Sequence, residues 1–326
     1  MQIKLDDNSR SFKHKISDDF DEQATFLQNW HQDYAQITSG DFKGFIAEVH
    51  FESVSLFWEY TNQRLYQQGC LEPDMIAIGV PLSPHENGLF CGASSEQNAI
   101  YFYGGREGFE FISPPNLTIG LVVFKRSALL HLLTAQVQAF LDMQTRHAHL
   151  LRVSSVAYLN LVHFFNDNLS ALQANPALAY NNTFSKLTST KALSLVSECL
   201  QDEKTSGKKT GRDILCHDSW ALFTAARLLN AQYQDNPLSV ADLCNALAVS
   251  RRSLQYHFEK TLGTSPLVFL RAERLNAVRH MLKDASSVTE AATHWGFWHF
   301  GHFSQEYKKM FGELPSATFK RLHNLN

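Results

Sequence analysis

One helical pattern occurs twice between residues 240 and 321. Its first copy is Leu254-x3-Phe258-x3-Leu262-Gly263-x2-Pro266, and its second is Phe303-x3-Tyr307-x3-Phe311-Gly312-x2-Pro315. Each position stands 49 residues from its counterpart. Apolar residues at i, i+4 and i+8 describe one buried helix face, and Gly followed by Pro ends the helix. A short helix with a polar outer face, preceded by another short helix and built twice, predicts two helix-turn-helix units in tandem. Such a pair is shaped to enter two successive grooves of duplex DNA.

The local signals agree with that reading. Trp220–Gln234 is amphipathic and stops at Asn236-Pro237. Ser239 caps the next helix, with Asp242 as its capping-box partner, and Ala248-Val249 form the tight turn. Ser250 caps the first candidate reading helix. On a helical wheel with Leu254 at the core, Arg252 and Tyr256 point away and Gln255 and Glu259 flank them. Arginine can bind guanine in bidentate fashion and glutamine can bind adenine. Arg251 is placed for a phosphate or a base edge. Tyr256 either stacks on the sugar-phosphate or packs on the preceding helix. Pro266 opens a long connecting helix with Phe269, Leu270, Leu275, Val278 and Leu282 inward; its Arg271, Arg274 and Arg279 are read as solvated or paired, with some reaching phosphate. The second unit starts at Val288, turns at Trp295-Gly296-Phe297-Trp298, and presents Gly301, Gln305 and Lys308 outward with Ser304 and Lys309 beside them.

The chain has 326 residues, enough for two domains, and 44% hydrophobic content, enough for a core in each. Residues 235–326 carry 11 Lys+Arg against 8 Asp+Glu, a balance of +3, which leaves −6 on the remainder. A mildly basic C-terminal part on an acidic body suits contact with phosphate. The first residues show no apolar run of signal-peptide type and no segment is long and apolar enough to span a bilayer, so the expectation is a cytoplasmic protein without membrane partners. Five scattered cysteines without a C-x-x-C pair are expected as reduced thiols.

From Gly44 the period changes to two. Val54–Tyr60, Met75–Val80, Ile100–Tyr103, Phe109–Ile112 and Leu117–Phe124 are strand-like runs separated by Gly, Pro, Asn and Ser. They predict a small antiparallel barrel or sandwich over about 44–124. Helical spacing is expected over Phe20–Tyr34, and again over 127–201. The polar stretch 202–216 is expected as a linker.

The C-terminal segment resembles the DNA-binding domain of the AraC/XylS family of bacterial transcription regulators. The likeness rests on Leu238-Ser239-Val240-x2-Leu243, Ser250-x3-Leu254-x3-Phe258-x4-Gly263-x2-Pro266, Phe269-Leu270-x3-Arg274-Leu275-x2-Ala277-x-Arg279-x2-Leu282 and Gly296-Phe297-x4-His302-Phe303-Ser304-x2-Tyr307-Lys308-x2-Phe311-Gly312-x2-Pro315. The resemblance implies an α+β protein: an N-terminal cupin-like β-barrel or sandwich with flanking helices in residues 1–201, which binds an effector and supports dimers, and an all-α domain in 217–326 with two helix-turn-helix units joined by a long helix. It implies base contacts from Arg252, Gln255 and Tyr256 in the first reader and from Phe300, Gly301, Ser304 and Gln305 in the second. Arg251, Ser250, His299 and Lys308 are candidates for phosphate. Phe300 either touches a thymine methyl or packs. Trp298-His299-Phe300-Gly301 departs from the usual small polar residues of the second reader. With Trp30, Tyr34 and Gly40-x-Phe42-x-Gly44, it resembles the branch that contains the ethanolamine-operon regulator.

The function expected is a sequence-specific DNA-binding regulator, an activator answering to a small molecule, with double-stranded DNA, RNA polymerase and a second copy of the chain as partners. The alternatives are an effector-independent regulator that uses the barrel as a dimerisation scaffold, and a cupin-type enzyme fused to a DNA-binding module. No enzyme activity, cofactor or metal is expected. His294, His299 and His302 fall on different helix faces, and His147-x-His149 sits in an expected helical connector. Trp58, Tyr60, Phe90, Tyr101, Tyr103 and Phe109 are core aromatics or pocket walls, Arg106 is a turn residue or an anion binder, and Lys204–Arg212 is a solvated stretch or a DNA contact.

Overall fold

The computed structural model describes residues 11–27, 30–83, 86–95, 98–104, 108–130, 138, 148–206, 211–232 and 238–323. It divides into two units. The first comprises residues 1–34, 43–62 and 67–208, and the second 35–42, 63–66 and 209–326.

Two antiparallel sheets build the N-terminal half. Strands β1 (Lys13–Ser17), β3 (Gly44–His50), β4 (Val54–Thr61), β11 (Leu117–Lys125), β6 (Met75–Pro81), β9 (Ala99–Tyr103) and β12 (His149–Arg152) form one, in that spatial order. Strands β2 (Trp30–Gln36), β5 (Leu65–Leu71), β10 (Phe109–Ile112), β7 (Leu89–Phe90) and β8 (Ala93–Ser94) form the other. The larger sheet is covered on both faces, which explains its almost continuous apolar runs. In β11, Leu117, Ile119, Leu121 and Val123 join the core with Phe90, Phe109 and Phe111 of the smaller sheet. Val122 and Phe124 of the same strand instead join Leu161, Phe165 and Val196 of two helices, α3 (Ser155–Ala174) and α4 (Asn182–Ser206). Successive side chains point to opposite faces, so each face finds its own partner. At Gly120 an added Cβ would lie 2.5 Å from Phe165 Cγ. The ring therefore packs directly on the strand backbone.

Several sequence expectations are corrected here. Phe20–Tyr34 is not one helix: α1 covers only Phe20–Ala24, capped by Asp19, and Trp30 and Tyr34 lie on β2. Large β-favouring aromatics satisfy a sheet core as readily as a helix face, and the sheet wins. The strand Leu65–Leu71, the edge strand Lys13–Ser17 and the strand that starts at His149 escaped the period-two reading. His149 is thus on a strand, not in a helical connector, with its ring 4.9 Å from that of Phe102. Of the helical spacing expected over 127–143, α2 (Arg126–Leu130) is described and most of the rest lies outside the described residues. Helices enter the stretch 202–216 from both sides: α4 runs to Ser206 and α5 (Gly211–Gln232) begins inside it. Arg106 and residues 207–210 lie outside the described residues.

The helices α6 (Val240–Ala246), α7 (Arg251–Leu262), α8 (Pro266–Met281), α9 (Val288–His294), α10 (Phe300–Phe311) and α11 (Pro315–Leu322) make up the rest of the second unit with α5. Several termini have a physical signal. Ser239 and Asp242 form a complete capping box. Gly263 and Gly312 end α7 and α10 in the left-handed region, at φ +69° and +79°. Pro266 and Pro315 open the helices that follow. Among the described residues no helix is long and apolar enough to cross a membrane.

Candidate nucleic-acid interface

The two helix-turn-helix units are constructed alike. In the first, Ala248 takes φ +53°, and the Val249 amide donates to Cys244 O at 3.0 Å. In the second, Gly296 takes φ +75°, and the Phe297 amide donates to Ala292 O at 2.9 Å. Ser239 and Ser287 cap the first helix of each unit, accepting from amides three residues on at 3.2 and 3.1 Å. Behind α7, Leu254, Phe258 and Leu262 are buried, with the Phe258 ring 5.3 Å from that of Phe269. Behind α10, Phe303, Tyr307 and Phe311 are buried in a run of edge-on rings. The repeated apolar triplet is therefore the inner face of each reading helix.

The opposite faces are open. On α7, Arg251, Arg252, Glu259 and Tyr256 are exposed, Tyr256 at 55%, and Gln255 is partly so. The Tyr256 ring meets that of its neighbour His257 edge-on at 5.4 Å. The Gln255 amide donates to Glu259 Oε1 at 2.6 Å, which holds it along its own helix. Ser250 already uses its oxygen as the cap and keeps its hydroxyl proton to donate. On α10, Phe300, Gly301, Gln305, Lys308 and Lys309 are exposed and Ser304 is partly so. Phe300 stands 43% exposed, so packing does not absorb it. His299 precedes the helix without a side-chain cap bond.

The arginines of the connecting helix have other work. Arg279 is only 3% exposed and lies 3.0 Å from Glu313 Oε1, with its guanidinium 5.0 Å above the Phe311 ring. Arg271 pairs with Glu306 and stacks 4.7 Å over Phe297. Arg274 reaches Leu270 O and lies 5.8 Å from Phe297. They are paired, not solvated, and they brace α10 from behind. Burial pushes the Glu313 carboxyl up, but hydrogen bonds from Arg321 and Thr318 and the Arg279 charge hold it below its ordinary value. Among the described residues no group of three or more His, Cys, Asp and Glu could hold a metal ion; His302 instead faces Glu306 at 3.5 Å along one helix.

Among the described residues, the space between the two sheets holds a small cavity of about 10 Å³, room for roughly one water. Leu27, Trp30, Glu59, Tyr103 and Phe109 are among its walls. Of the aromatics singled out in the sequence, only Tyr103 and Phe109 line it. Trp58 faces the helices and donates to Phe165 O at 3.2 Å; Tyr60 stacks on Phe45. The sequence reading missed Glu59. It is 5% exposed, and its Oε1 accepts from Gln23 Nε2 at 2.9 Å and from the Tyr34 hydroxyl at 2.8 Å. Burial drives its pKa up, and those two hydrogen bonds only partly offset the rise. A lone Glu amid the strand alternation at 54–61 was the available signal.

A family described as a helix-turn-helix domain matches residues 243–321. The chain is 34% identical over 119 residues to the XylDLEGF operon transcriptional activator 1 of Pseudomonas putida, covering 35% of this chain and 36% of that protein. It is 42% identical over 92 residues to a probable thc operon regulatory protein of Rhodococcus erythropolis, over 27% and 28% of the two chains. The match thus spans about a third of the length of these relatives or less. A solved transcriptional regulator with an AraC-type DNA-binding domain, from Chromobacterium violaceum, is 30% identical over 33% of this chain and 98% of its own, at a TM-score of 0.31. The C-terminal domain belongs to the AraC/XylS family. The Pseudomonas putida and Rhodococcus erythropolis relatives are both named as regulators of an operon. The matched region includes Trp298-His299-Phe300-Gly301 but not residues 30–44, and it does not confirm the likeness to the ethanolamine-operon branch.

Proposed function

We propose that this protein is a sequence-specific DNA-binding activator of transcription whose two reading helices, α7 and α10, enter successive major grooves. The observation that carries it is the paired construction: two turns of one design, each burying the repeated apolar triplet and leaving the opposite edge of a short helix in solvent. In this reading Arg252, Gln255 and Tyr256 face bases from the first helix, and Phe300, Gly301, Ser304 and Gln305 from the second. Ser250, Arg251, His299 and Lys308 hold phosphate. Residues 1–201 form the effector and dimerisation region, 202–216 the connection and 217–326 the DNA-binding domain, with RNA polymerase as the partner at the promoter. The test is enrichment of duplexes from a random pool by the full chain, followed by titration. Enriched duplexes should bind at least 10³-fold tighter than random ones; equal affinity for both defeats the proposal.

For the N-terminal unit the reading is a small-molecule effector; the cavity beside Glu59, where the buried Trp30 Nε1 has no hydrogen-bond partner, holds about one water and would have to open to admit it. A thermal-shift screen over small metabolites should return a compound that raises the melting temperature of the full chain, and Glu59→Gln should weaken that shift. The small volume favours a second reading, in which the barrel acts without an effector. A screen in which no compound shifts the melt selects it.

A further inference from the structure

The two units differ by one residue in their turns. Between the left-handed Ala248 and the cap Ser250 stands Val249 alone. Between the left-handed Gly296 and the cap His299 stand Phe297 and Trp298. Phe297 takes the place of Val249: it makes the equivalent backbone bond and is buried. Trp298 is therefore the extra residue, and it is 69% exposed. Leaving an indole in water forgoes a large burial gain. Phe300, the first residue of α10, is exposed beside it in sequence. Gly301 follows, and a Cβ added there would meet nothing within 4 Å. Its backbone is not in the left-handed region, so neither packing nor conformation demands glycine.

These three features occupy the start of a reading helix, the part that meets base edges. An apolar group in the major groove has one distinctive target, the C5-methyl of thymine. The charges around it fit DNA: Lys308 and Lys309 are exposed on the same helix, and Glu306 is tied to Arg271. We infer that Trp298 and Phe300 read thymine methyl groups in the half-site facing the second helix, and that Gly301 lets the helix backbone come close to the DNA. This rests on the function proposed above and adds a chemistry of recognition to it.

The experiment uses the full chain and the duplexes it enriches. Each thymine is replaced in turn by deoxyuridine, which differs only in lacking the methyl. Burying one methyl corresponds to about a fourfold change in affinity, so one or two positions should each weaken binding by about that factor. Trp298→Ala and Phe300→Ala should bind more weakly and lose the discrimination between thymine and deoxyuridine there, whereas Arg252→Ala should keep it. Both side chains are exposed, so circular dichroism should show unchanged folding. Wild-type protein indifferent to every deoxyuridine, enriched sites without thymine, or discrimination that survives both substitutions overturns the inference while leaving DNA binding intact. Failure to enrich any sequence overturns the function on which it rests.

Discussion

The two reading helices share a backbone plan and differ in the chemistry of the edge they expose. The first offers Arg251, Arg252 and Gln255, a set of hydrogen-bond donors suited to guanine and adenine. The second opens with Trp298, Phe300 and Gly301, which have one indole N–H between their side chains, ahead of Ser304 and Gln305. Their supports differ as well. Behind α7 the packing is largely apolar, with Phe258 against Phe223 and Phe269. Behind α10 stand three arginines paired with glutamates or stacked on rings. The comparison teaches that a duplicated scaffold preserves the inner face, where volume and register are constrained by packing, and frees the outer edge to change its mode of recognition.

The contrast in support is the easiest to break. Glu313→Ala removes the carboxylate that faces the buried Arg279 guanidinium, at a cost of about 3 kcal/mol, read as a lower midpoint in urea denaturation. Loss of less than half of that would place the weight on the aromatic stack instead. The same pair carries a pH signature. The folded Glu313 pKa is depressed, so its contribution is complete above the ordinary glutamate range, near pH 4.3. It is lost as pH falls through the lower folded value, and the acid-side sensitivity should vanish in Glu313→Ala.

The contrast in readout comes next. Arg252→Ala should cost ~1–3 kcal/mol at one base pair and relax specificity there alone; a uniform loss on all sequences would reassign Arg252 to phosphate. Gly301→Ala should stabilise α10 by up to about 0.5–1 kcal/mol and yet weaken DNA binding, a pair of opposite signs measured by melting and by titration. If binding is unchanged, the close approach at Gly301 is wrong. The smallest effect is expected at Glu259→Ala, which releases the Gln255 amide. Removing that contact should change stability by only about 0.2–0.5 kcal/mol while changing which base is preferred opposite Gln255.

Much of the C-terminal domain was legible because its signals are local. Ser239, Ser250, Gly263, Gly312, Pro266 and Pro315 each act within a few residues, and the triplet spacing follows from helix geometry. The exposed edge was partly legible: the wheel put Arg252 and Tyr256 outward, and they are outward. It left Phe300 open between packing and contact and passed over Trp298, since a wheel does not count turn residues. Two of the connecting arginines were ambiguous because their partners, Glu306 and Glu313, lie 35 and 34 residues away in sequence. The N-terminal half was harder. Strand pairing joins β4 to β11, more than fifty residues apart, and a segment such as Leu65–Leu71 has no pattern of its own that declares it a strand.

The amino-acid sequence alone determined two short helices per unit, which side of each is buried, and the kind of domain they build. Helix caps, turn chemistry and 3.6-residue periodicity are near-neighbour effects and can be read along one dimension. Only the tertiary structure decided that Glu59 is shut inside a nearly filled barrel, that Arg279 is enclosed and not solvated, and that Trp298 is left in water. Burial is a property of what the rest of the chain brings to a position, and no local window contains that.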